Sequence, residues 1–162
     1  MYVPFSKMPD HARVWIYQST RVLGVEEIEV ISAILLNFTE EWTAHQAELK
    51  ASFTILYDRF IILSVDEQQA GASGCSIDSS VRIIKQIEQE LKLDLFNRTV
   101  IHYKGHEGIE SLSMSEFQSG LAAGSITEDT IVFNNMISSI GDLNQNWEVP
   151  VKFSWHQQLL DA

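Results

Sequence analysis

Residues 13–19, RVWIYQS, concentrate β-branched and aromatic side chains and predict a strand. After Leu23-Gly24 the period changes. Ile28, Ile31, Leu35, Phe38 and Trp42 recur at steps of three and four, so 25–42 is expected to be a helix with one apolar face. Glu26 and Glu27 in its first turn complement the positive end of the helix dipole. Phe53, Ile55 and Tyr57 alternate with smaller or polar residues, and 60–65 is almost continuously apolar, as a central strand is. Tyr57-Asp58-Arg59 between them reads as a hairpin turn. A second helix is expected from about Ser76 or Asp78 to Lys92, with Ile77, Val81, Ile84, Ile87 and Leu91 on one face. RTVIHYK at 98–104 is a further strand.

Strand, helix, strand, strand, helix, strand is the order of a ferredoxin-like split βαβ unit, in which two helices cover one face of an antiparallel sheet. The expectation is therefore an α+β fold with a βαββαβ core over 12–104, after an N-terminal arm at 1–11. Beyond it, IESLSM suggests a strand, Ser115 opens a short helix ending near Gly120 or Gly124, and 130–133 is another strand. The last thirty residues have no clear period. Residues 105–162 are read as an extension of the same sheet, and 1–162 as one globular domain. Pro4, Pro9 and Pro150 all lie near the ends, so the middle can be regular throughout.

A hydrophobic share of 45% over 162 residues supports a real core. The net charge of −11, from 22 acids against 11 bases, repels phosphate backbones and anionic lipid surfaces. Nucleic acid and membrane are therefore not expected partners. One cysteine makes no internal disulfide, and no apolar run approaches a signal sequence or membrane span. A cytoplasmic protein without a cofactor is the expectation.

Several segments together resemble a family of small bacterial proteins of uncharacterised biochemistry, often labelled ABC transporter ATPases. They are VWIYQ, EEWTAHQAELKASF, DRFIILSVDEQQAGASGCSIDSSV, TIVFNN, and WEVP with SWH, spread over nearly the whole chain. That label implies ATP binding. A P-loop needs G-x-x-x-x-G-K-[ST] so that backbone amides and a lysine cradle the phosphates, and the chain has no such segment. An LSGGQ-type signature is also absent.

The block AGASGCSIDSSV, 70–81, carries the candidate chemistry. A strand ends near Val65, and a loop with Gly71 and Gly74 leads to a helix start. Free amides and the positive dipole end there favour an anion or a thiolate. Gly71, Ser73, Gly74, Ser76, Asp78 and Ser79 are the candidate ligand-binding residues, for a small-molecule or anionic ligand. Cys75 at the first turn is a candidate nucleophile. Each has a structural counterpart: Ser76 or Asp78 as N-cap, glycine for the turn, cysteine as a small buried hydrophobe. Cys75 and Arg82 are separated by six residues, one too many for a phosphatase-type C-x5-R loop, and position 78 excludes C-x-x-C.

A cysteine nucleophile needs a base. His45, His102, His106 and His156 are the candidates, with His45 and His156 preferred because they lie in the family-like segments. His102 and His106 have no metal-ligand spacing in a strand-turn context, so no metal site is expected. Asp66-Glu67 at a strand end suits acid-base work or a solvated terminus. Trp15 and Trp42 fit the core. Trp147 and Trp155, near Asn134, Asn135 and Asn146 in sequence, either line a pocket or anchor the tail. Three functions follow: a small-molecule or anion-binding domain at loop 71–80, a cysteine-dependent enzyme, and a non-enzymatic homodimeric interaction domain.

Overall fold

Apolar side chains at every position but two of FIILSVD leave that strand no solvent face, and the structure buries it centrally. The computed structural model describes residues 1–160. It is α+β, with small antiparallel sheets, and divides into two compact units: 1–96 with 138–141, and 97–137 with the residues from 142 onward.

The first unit contains β1 (Arg13–Gln18), α1 (Val25–Glu41), the short β2 (Thr43–Ala44) and β3 (Ala47–Glu48), β4 (Lys50–Leu56), β5 (Phe60–Asp66) and α2 (Gly74–Leu91). Its main sheet has the order β1-β5-β4, antiparallel throughout, with Trp15 opposite Leu63 and Ile55 opposite Ile61. The β4–β5 hairpin turns through Tyr57 and Asp58, both at positive φ (56° and 52°). That geometry matches the right-handed twist of the flanking strands. Ile61 and Leu63 meet Ile31 and Leu35 of α1 and Ile84 and Ile87 of α2, so both helices cover one face.

The buried row of α2 is Ser76, Ser80, Ile84 and Ile87. The apolar pattern favoured Ile77 and Val81 in its first half. Serines pack there instead, and the Trp42 indole donates to the Ser76 carbonyl at 2.9 Å. Ser80 satisfies its own hydroxyl on the Ile77 carbonyl, 2.6 Å.

The fourth strand expected beside β1 is not there. Residues 138–140 occupy that edge: Val14 N–H donates to the Ser138 carbonyl, Arg13 bridges Ser139, and Ile140 N–H donates to the Ala12 carbonyl. The opposite edge, on β4, is covered where Val3 N–H donates to the Ala51 carbonyl and Ala51 N–H to that of Met1. Pro4 follows and has no amide to continue the ladder, a common protection of a sheet edge.

The second unit contains β6 (Val100–Gly105), β7 (Gly108–Ser113), α3 (Met114–Ala123), β8 (Ile131–Phe133) and β9 (Glu148–Pro150). α4 (Ile140–Asn146) starts within 138–141 and ends in this unit. Its sheet has the order β7-β6-β8-β9. This corrects the expected extension of one sheet. β6 is bonded on one side to β7 and on the other to β8, so it has no edge left for β1. Ile101, Phe117, Ile126, Val132, Val151 and Leu159 form its core. The tail without a clear period is two 3-10 turns, Val151–Phe153 and Trp155–Leu159. Trp147 anchors it: the buried ring packs edge-on against Phe133 and donates to Asn135 Oδ1 at 2.9 Å.

Candidate functional site

At the end of β5 the loop is pinned by its own polar groups. Ala72 N–H donates to Glu67 Oε2 at 2.9 Å. Ser73 is the N-cap: its Oγ accepts Ser76 N–H at 3.1 Å, while Ser76 Oγ accepts Ser73 N–H at 2.7 Å. This reciprocal box uses the two serine hydroxyls together. The helix thus begins at Gly74, two to four residues before the expected start. Ala70 packs on the cluster of Trp42, Val65 and Trp15, which fixes the loop against the sheet.

The candidate binding residues have different fates. Ser73 and Ser76 are spent on the cap, and Gly71, Gly74 and Asp78 are exposed. Cys75 is an exposed free cysteine at the second helical position. Ser79 Oγ donates to the Cys75 carbonyl at 3.0 Å and accepts from Arg82 Nη2 at 3.1 Å. Cys75, Ser79, Ile83 and Gln86 recur at steps of four, four and three, so they share one face of α2.

That face borders an open groove of about 450 Å³ between α1 and α2. Ile34, Phe38, Trp42 and Ile83 supply its apolar floor. Asn37, Glu41, Thr43, Ser79 and Gln86 supply polar groups around it. The floor is stiff. Phe38 and Trp42 rings lie 4.9 Å apart, and Trp42 is locked by Trp15 at 5.9 Å and by its bond to Ser76. A pocket of rigid aromatics with a few polar groups suits a small organic ligand.

None of the candidate bases lies on α2, the cysteine's own helix. His45 is exposed in the two-residue β2–β3 turn, where it and Gln46 take positive φ (50° and 66°). Its place follows from turn geometry. His106 is exposed in the β6–β7 turn, and His102 is buried on β6. His156 is buried in the second unit, stacked on Trp155 at 3.9 Å, with Nδ1 against Ser154 Oγ at 2.7 Å. Burial pushes its pKa down to about 4. Among the described residues, no three His, Cys, Asp or Glu side chains are grouped to hold a metal ion.

Sequence reasoning missed His11. Its Nε2 lies 3.0 Å from Asp66 Oδ1 at the end of β5. Burial alone raises the Asp66 carboxyl, but the Gln68 N–H, the His11 ring and the Lys50 charge together hold it below its ordinary value. No sequence signal pairs residues 55 apart, although Asp66 itself was legible as a strand-end carboxylate.

In comparisons with known families, curated proteins and solved structures, the chain matches none. Among the described residues no helix is long and apolar enough to cross a membrane.

Proposed function

We propose that this chain is a small-molecule-binding protein whose site is the α1–α2 groove, with Ser79 of the 71–80 block in its lining. The observation that carries the reading is the groove itself. Its aromatic floor is locked by hydrogen bonding and ring contact, and polar side chains from two helices converge on it. Ser79 ties the groove to the Gly/Ser-rich block, and Cys75 lies one turn further along the same helix face. The anion-binding form of this reading has weaker support, since Glu67 and the two capping serines already serve the loop amides of Ala72, Ser73 and Ser76. ATP binding is not part of the proposal, even if the resemblance to the small bacterial family holds, because the P-loop is missing.

For the fold, the proposal keeps a ferredoxin-like origin for the first unit. The order β1-β5-β4 with two helices on one face is three-quarters of that arrangement.

A fragment screen read by the indole and amide resonances of Trp42, Ser79 and Gln86 tests the site. Hits are expected to shift those signals, and Ile83→Trp, which fills the groove, is expected to abolish them. Hits mapping elsewhere, or surviving Ile83→Trp, would refute the placement.

A second reading, the homodimeric interaction domain, is favoured by Val22, Val25, Val30 and Leu36, all exposed on or just before α1. Sedimentation of the wild type and of Leu36→Glu tests it. A dimer lost on substitution supports it, and a monomeric wild type rejects it.

A further inference from the structure

We infer that the α1–α2 groove takes an organic cation, an amine on an aromatic or aliphatic body, with Glu41 as its counter-ion; this rests on the groove being the binding site. Among the described lining residues Glu41 is the one charged side chain, and none is basic. Its carboxylate has no partner among the described residues. Its neighbour Glu40 accepts the Tyr2 N–H at 3.1 Å, and the Met1 amino group reaches the Thr39 carbonyl at 3.5 Å. Those contacts lie at Thr39 and Glu40, leaving Glu41 unneutralised at the groove.

α1 ends at Glu41 with no basic side chain in its last turn. The Met1 ammonium already faces the helix end at Thr39, so the Glu41 carboxylate carries the attraction. The half-buried Phe38, backed by the buried Trp42, offers aromatic surface among the same lining residues as Glu41, suited to the apolar body of an amine. Arg82 is not a lining residue; its Nη2 donates to Ser79 Oγ at 3.1 Å. An anion would face Glu41 without a basic partner in the lining, in a chain of net charge −11.

Three probes of one shape separate the possibilities: phenethylamine, 2-phenylethanol and phenylacetate. Each is titrated to millimolar concentration against the full chain, following the Trp42 indole N–H and the Ser79 and Gln86 amides. Phenethylamine is expected to bind tightest. Glu41→Gln, an exposed isosteric change, is expected to weaken it about fivefold while leaving 2-phenylethanol unchanged. If 2-phenylethanol or phenylacetate binds as well as the amine, or Glu41→Gln has no effect, the cation inference fails and the groove remains the site. If no probe moves those signals, both fall.

Discussion

Cys75 is exposed, while the serines on either side of Gly74-Cys75 make the cap. The thiol therefore has no packing duty. A neutral thiol reagent is expected to modify it fully in the native protein, with no unfolding step, as mass spectrometry after a timed quench would show. Cys75→Ser is expected to change stability by less than about 0.5 kcal/mol. His156 behaves oppositely. Its folded pKa, about 4, lies below the unfolded value of 6.5, so at higher pH both states are neutral and nothing is lost. Between 6.5 and about 4 the unfolded chain binds a proton that the folded one refuses, and stability falls with pH. The loss is on the order of 3 kcal/mol, and His156→Phe should remove that slope from urea titrations across this window. Ser52 and Ser64 face each other across β4 and β5, buried, with neither hydroxyl partnered among the described residues. Ser64→Ala is accordingly expected to be neutral or stabilising in thermal unfolding, unlike most core substitutions.

At the level of elements, Arg21 joins two helix ends. It makes a bidentate pair with Glu27 at 2.8 and 2.7 Å and reaches the Leu91 carbonyl at 3.3 Å. Glu27 also accepts the Gly24 N–H at 2.9 Å; glycine has no side chain to return the bond, so only half a capping box forms. The Arg21 bond foremost, then the Gly24 amide, hold Glu27 down to about 2. Its contribution is present above the ordinary carboxyl pKa and fades as pH falls towards about 2. Because the pair is solvent-screened, Glu27→Gln is expected to cost about 1 kcal/mol at neutral pH, measured by denaturant unfolding, and less in acid.

Periodicity showed α1, the β4–β5 hairpin and the central strand β5 closely, because each buries a face matching its repeat. It did not show the sheet membership of β6, since chain order leaves open which strand offers a free edge. Nor did it show the cap, where Ser73, Ser76 and Asp78 are all competent residues and Ser73 takes the role by exchanging bonds with Ser76. The groove was half legible: Ser79 is among the candidate residues and Phe38 and Trp42 fall on the apolar row of α1, while Ile34 and Ile83 fall outside both expected apolar rows, because helix separation is not a sequence property.

For the molecule as a whole, the charge of −11 means that folding gathers like charges. Raising ionic strength from about 0.01 to 0.15 M shortens the Debye length from about 30 to 8 Å and is expected to raise the thermal midpoint. Calorimetry in a non-coordinating salt checks this, and a falling midpoint would mean that favourable pairs such as Arg21–Glu27 outweigh the repulsion.

The strip at 138–140 along β1 has a consequence in time. A ribosome releases β1 first and that strip only after α2, β6, β7 and β8 have emerged. Until then the outer edge of β1 is bare, and the first sheet waits for residues that arrive after much of the second unit has been synthesised. During synthesis the chain carries an open β-edge, the feature that invites pairing with a neighbour, and the closing bond from Val14 to Ser138 ends that exposure.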